Sequence, residues 1–229
     1  MPRNCYPPWS WNVRPCSGER GGRRLQGTVG KVQTESRSLA MTTKDRASGV
    51  EPAAVTLLRD GFGRIRDGIE RLLEEAEPRM LRYRASSHSN SMAWLLWHLT
   101  RIQDDHFTHL ARALDEGSAP EQCWISRGWA SRFNLPYGQL DTGFGHSSDQ
   151  VADFRMYDGE YLLGYHRDVY EQAMDILATL REPDLSAVID RHWTPPVTAG
   201  VRLVSVLNET ASHLGQAEFL KGIYADQTG

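Results

Sequence analysis

Cysteine is the first scarcity. The 229-residue chain carries three, Cys5, Cys16 and Cys123, and no CxxC pair. An odd count without paired spacing argues against a disulfide framework or a thiolate zinc cage, and fits a reducing cytosol. Long apolar runs are also missing: nothing approaches the ~18 residues of a membrane span, so no membrane partner is expected. Positive charge is scarce in the body. Residues 1–40 hold seven basic and two acidic side chains, while the whole chain is −3, which leaves residues 41–229 at −8. An acidic body makes a phosphate-backbone partner improbable, so nucleic acid is not expected. Strand alternation is sparse. There is no H-E-x-x-H, G-x-S-x-G, P-loop or dinucleotide fingerprint, and the E-x-x-H element of di-iron bundles is absent.

What remains divides the chain in two. Residues 1–45 are rich in Arg, Gly, Pro and Ser, have no periodic apolar face, and are expected to be a disordered basic tail, with Met41 as the alternative start. Residues 46–229 are expected to form one helical domain. Leu58, Phe62, Ile65, Ile69 and Leu72 are spaced 4-3-4-3 and predict a helix over about 52–77. Gly61, Gly63 and Gly68 weaken it by ~1 kcal/mol each, and Pro78 ends it. Met92, Trp94, Leu95, Leu96, Trp97, Leu99, Ile102, Phe107 and Leu110 predict a second helix over 90–116, with Gly117 in the C′ position. Leu162, His166, Val169, Ala173, Ile176 and Leu180 form the seam of a third over 159–181. Val204, Leu207, Ala211 and Leu214 form the stripe of a fourth over 199–224. Four long helices predict an all-α bundle. The link 118–158 is too long to be wholly irregular, so short helices near 127–133 and 149–154 are expected. It forms a long crossover from the second helix to the third, and its aromatic residues suit a lid. His192-Trp193-Thr194-Pro195-Pro196 reads as an extended turn.

Polar residues on apolar helix faces point to chemistry, because burying them is costly unless they are paired or ligated. His98 lies in Ala93-Trp94-Leu95-Leu96-Trp97-His98-Leu99. Glu209 and His213 are four apart in the last helix and share one face. Such a carboxylate–imidazole pair and a histidine from a facing helix can supply three ligands and leave one position open, as catalytic zinc requires. The same donors suit non-haem iron. The plainer readings are a solvated ion pair for Glu209 and His213, and a core histidine bonded to a backbone carbonyl for His98. Lower candidates are Asp105, seven residues or ~10.5 Å beyond His98 and too far for the same ion; His166 on the third seam; and Gln216, about one turn past His213. His106 and His109 are expected to be solvated. Cys123 has no neighbour in sequence to lower its pKa and is not expected to be a nucleophile.

The stretches Ser91-Met92-Ala93-Trp94-Leu95-Leu96-Trp97-His98-Leu99 and Glu209-Thr210-Ala211-Ser212-His213-Leu214-Gly215-Gln216-Ala217 resemble the DinB/YfiT-like superfamily of metal-binding four-helix bundles. Glu209, where many members carry histidine, resembles the mycothiol-dependent branch that includes maleylpyruvate isomerase. The resemblance implies metal ligands His98, Glu209 and His213, a divalent metal (zinc foremost), mycothiol as co-substrate and an actinobacterial cytoplasm. It covers about residues 52–224. The isomerase has a further C-terminal domain, so the isomerisation itself is not implied. The expected function is a metal-dependent thiol transferase acting on a small electrophile, without catalytic groups beyond the metal ligands. The substrate-contact candidates are Asp105, His166 and Gln216. The alternative is a non-catalytic metal- or small-molecule-binding bundle; a metal hydrolase ranks third for want of a general base. The partners expected are a small thiol and an electrophile, with a homodimer left open.

Overall fold

The computed structural model describes residues 51–74 and 76–228; the expected tail, Cys5, Cys16 and Met41 lie outside them. Four long helices make the frame: α1 (Ala53–Glu74), α3 (Met92–Leu114), α7 (Gly159–Thr179) and α9 (Ala199–Thr228). Between them run α2 (Pro78–Arg82), α4 (Cys123–Ser126), α5 (Trp129–Phe133), α6 (Ser148–Ala152), α8 (Glu182–Leu185) and the strands β1 (Val188–Asp190) and β2 (Val197–Thr198). The long helices pack in the ring order α1–α7–α3–α9, with α3 against α9 the most extensive pair. The fold is all-α, a four-helix frame with a single two-stranded ribbon among the described residues.

The seams expected for α1, α3 and α7 are buried throughout. Each large apolar side chain buried this fully contributes ~1.5–3 kcal/mol, which outweighs the weak helix propensity of the α1 glycines. Two of those glycines have a packing purpose. A Cβ on Gly61 would lie 2.9 Å from Leu207 Cδ1, and one on Gly68 2.6 Å from Leu214 Cδ2, so they let α9 approach α1 closely.

Local boundaries differ in three places. Pro78 opens α2, in the first turn where its missing N–H costs nothing. Helix α3 is capped at its start by Ser91, whose side chain accepts from Trp94 N, and ends two residues early, at Leu114, with Asp115 as its C-cap. Gly117 is therefore no C′ residue; its N–H bonds Asp115 Oδ1 at 3.2 Å. The inward stripe of α9 is Leu203, Val206, Thr210, Leu214, Ala217 and Leu220, rotated from the expected one; Val204 is 61% exposed. Thr210 tolerates burial because its hydroxyl donates to Val206 O at 2.8 Å.

The crossover contains short helices, as expected, and packs against α3. Trp124, Trp129 and Phe133 are buried in it, whereas Phe144 is 80% exposed. The link before α9 is not a simple turn: β1 and β2 pair antiparallel, with Val188 opposite Thr198 and Asp190 opposite Val197. Among the described residues no helix is long and apolar enough to cross a membrane.

Candidate metal centre

The antiparallel packing of α3 on α9 brings His98 over the turn that carries Glu209 and His213. One ligand atom from each lies within 4.8 Å of the others, the only such trio among the described residues. His98 Nε2 is 3.8 Å from Glu209 Oε1, His213 Nε2 is 4.0 Å from the same oxygen, and the imidazole centroids are 4.9 Å apart. Zinc–nitrogen and zinc–oxygen bonds of about 2.0–2.2 Å would need tetrahedral donors a few tenths of an ångström closer than this, so the trio would have to shift slightly inward to hold such an ion.

The far side of each ring is already occupied. His98 Nδ1 is 2.5 Å from the carbonyl of Thr142, and His213 Nδ1 is 3.3 Å from Gln216 Oε1. A proton on each Nδ1 satisfies both contacts and leaves each Nε2 lone pair facing Glu209. Metal-binding histidines are oriented in this way. Trp94 stacks on His98 with centroids 4.7 Å apart. Burial, helped by the nearby His213, pushes His98 down to about 4. Burial also lowers His213, against the Gln216 hydrogen bond, and raises Glu209, against the pull of Arg202. The imidazoles are therefore neutral at pH 7, the form that ligates. His98 holds a backbone carbonyl through one ring nitrogen, as the core-histidine reading expects, and turns the other toward Glu209.

The loop that presents Thr142 was not foreseen. Asp141 accepts from Gly143 N at 2.7 Å, closing an Asx turn, and its two carboxylate oxygens each lie 3.2 Å from His146 Nε2. His146 Nδ1 accepts from Trp94 Nε1 at 3.3 Å. Gly143 has φ 88°, and a Cβ there would meet Trp97 at 2.8 Å, Trp94 at 2.9 Å and His98 Nδ1 at 3.0 Å. The loop is anchored by Arg101, fully buried, which donates to the carbonyls of Asp141 (3.2 Å) and Leu140 (3.4 Å), to Gln122 Oε1 (3.0 Å) and to Asp104 Oδ2 (3.4 Å). Asp104 caps α4 through Cys123 N (2.9 Å) and Trp124 N (2.8 Å) and accepts from Tyr165 (2.9 Å). The available signal was an Arg–Asp pair three apart on a helix that is buried over most of its length, with Asp-Thr-Gly downstream.

The lower candidates separate. Gln216 stands behind His213. Asp105 lies two turns along α3, half-exposed, and accepts from Gln122 Nε2 at 2.8 Å. His166 is buried on α7 with Nδ1 3.3 Å from Thr100 Oγ1, and is not brought to the trio. His109 is exposed as expected, but His106 is not solvated: its side chain is 25% exposed, enclosed beside Asp105 and Arg202. Cys123 is fully buried, and burial drives its thiol up to about 12, which agrees with an inert residue.

A helical bundle with two histidines and a glutamate converging between its second and last long helices is of the DinB/YfiT-like class, with a candidate metal site in that trio. The Mycothiol-S-transferase family matches residues 57–225, and the chain belongs to that family. A crystal structure of a conserved protein from Enterococcus faecalis is similar, with TM-score 0.65 and 26% identity over 72% of this chain and 94% of that one. No curated protein gives a significant match.

Proposed function

We propose that the protein is a divalent-metal-dependent mycothiol S-transferase, with zinc as the metal and His98, Glu209 and His213 as its ligands. The observation that carries this is the pairing at each imidazole: Nδ1 is occupied from behind and Nε2 is aimed at the shared glutamate oxygen. A divalent ion bound there would supply the positive charge that keeps a coordinated thiol deprotonated at neutral pH. Thr142 and Gln216 fix the ring planes, and Trp94 blocks the flat side of His98. Glu209 would contribute the single negative charge, so a divalent ion held there would keep the centre net positive and favour an anionic sulfur. With three protein donors, a fourth position is open to the thiol. The thiol sulfur then bonds to the electrophile, which yields its leaving group or takes the proton. Mycothiol as co-substrate supports an actinobacterial cytoplasm as the setting of this reading.

Metal analysis of the purified protein should give one divalent ion per chain. His98→Ala, Glu209→Ala and His213→Ala should each weaken it by at least about a hundredfold, more than loss of a supporting residue does, with the helical circular dichroism retained. The cobalt-loaded protein should show a sulfur-to-cobalt charge-transfer band with mycothiol, and the metal-loaded protein should conjugate mycothiol to test electrophiles. Full metal occupancy in all three variants rejects the ligand set. A band without conjugation moves the reading to a binding protein.

A further inference from the structure

A second polar cluster lies on the same two helices, α3 and α9, two turns from the His98, Glu209 and His213 trio. Asp105 is seven residues from His98 on α3, and Arg202 seven from Glu209 on α9; each step is two turns, about 10 Å along the axis. The helices run antiparallel, so the level of Asp105 and His106 meets Arg202, whose charge acts on both His106 and Glu209. Arg202 Nη2 donates to Asp190 Oδ2 of β1 at 3.0 Å, and Asp190 also accepts from His192 N at 3.0 Å. Asp105 is fixed by Gln122, and His106 Nδ1 stands 3.8 Å from Asp105 Oδ2. The side chains are held yet keep an accessible edge: 38% for Asp105, 25% for His106, 20% for Arg202 and 16% for Asp190. The metal reading uses none of them.

Their chemistry is mixed. Two carboxylates accept, the guanidinium donates, and a neutral imidazole does one of each. An apolar ligand would leave these groups unpaired, and a polyanion would meet a net negative site. Vicinal hydroxyl groups, each both donor and acceptor, suit them. We propose that Asp105, His106 and Arg202, with Asp190 behind Arg202, form a polyol-recognition subsite for the body of the thiol co-substrate. This rests on the thiol-transferase reading. A sulfur at the metal is about 10 Å from the cluster, while one amino-acid unit spans only ~3.6 Å. A lone cysteine falls short, and a cysteine carried on an amino sugar and a cyclitol, as in mycothiol, covers the distance. The subsite thus selects thiols by their carrier, and a dianionic peptide thiol such as glutathione is disfavoured.

The test uses the metal-loaded full-length protein, with cobalt-band titrations of mycothiol and of N-acetylcysteine. Mycothiol should bind wild type more tightly, and the affinity ratio should fall about tenfold or more in Asp105→Ala and in Arg202→Met, as loss of hydrogen bonds to charged groups predicts. Asp105→Asn should restore part of the ratio. Calorimetry with the thiol-free glucosaminyl-inositol head group needs neither metal nor turnover. Binding to wild type that is lost in Asp105→Ala supports the subsite even where no transferase activity is found. An unchanged ratio in both variants, with circular dichroism showing them folded, overturns it, as does failure of the head group to bind while N-acetylcysteine coordinates the metal.

Discussion

The two sides of α3 are built on different principles. Toward α1 and α7 the helix is closed by shape: Phe107 meets Phe62 edge-on at 5.2 Å, and Leu96, Leu99 and Leu110 are buried. Toward the crossover and α9 the same helix carries Trp94, His98, Arg101 and Asp104, and there the contacts include directional hydrogen bonds, which reach α7 as well through Tyr165. The apolar side needs only volume and tolerates rearrangement. The polar side sets one geometry, because each buried donor left unpaired is costly. Three of the five hydrogen-bond partners of Arg101 are oxygens of the crossover, the others being Asp104 and Tyr165, so the ion pair that stabilises the loop also sets the carbonyl behind His98.

Breaking the polar side at its centre should therefore cost most. Asp104→Ala strands Arg101 without its buried carboxylate and frees two N–H groups at the start of α4. We expect a loss of about 3–5 kcal/mol in denaturant unfolding, against ~1 kcal/mol for a volume-conserving swap such as Leu99→Met on the other side. Equal losses would erase the distinction between the two faces. Gly143→Ala comes next. It asks an alanine to adopt a positive φ and to push on Trp94, Trp97 and His98 together. A destabilisation of roughly 2 kcal/mol is expected, accompanied by a fall in metal affinity, since the Thr142 carbonyl must move. A stability loss with metal affinity intact would show that the loop does not orient the ligand.

The apolar side was legible in the sequence and the polar side only in outline. The seams of α1, α3 and α7 repeat at 3.6 residues and could be counted. The stripe of α9 was placed a residue off because Val204 and Ala211 offer the same spacing as Leu203 and Thr210, and a threonine bonded to its own helix hides as a polar position. His98, Glu209 and His213 were visible because they are side chains out of character with their faces. Thr142 was not: it acts through a carbonyl, which every residue possesses, and its position depends on Gly143 and on Arg101 forty residues earlier. His106 was misjudged for a similar reason. Its enclosure comes from Arg202 and Asp190, and nothing local to residues 105–109 reports that β1 folds over them.

The smallest expected effect sharpens the comparison from the apolar side, where His166 is an exception. Its ring is buried, Nδ1 meets Thr100, and Nε2 has no partner among the described residues. Burial, reinforced by the charge of Arg66, drives its pKa from 6.5 to about 3. In the window between these values the unfolded chain binds a proton that the folded chain refuses. Stability is then fully present above pH 6.5 and is lost as pH falls toward 3, by up to about 1.4 kcal/mol per unit. His98 and His106, both lowered to about 4, add slopes of the same sign, so the contribution of His166 must be taken by difference. In metal-free protein, His166→Leu should flatten the pH dependence of unfolding between pH 6 and 4.5 relative to wild type. Thr100 tolerates this change because its hydroxyl still donates to Leu96 O at 2.8 Å. An identical slope in the variant would mean that His166 titrates normally and that water reaches Thr100, which would make the interior of the bundle as polar as the face bearing His98, Glu209 and His213.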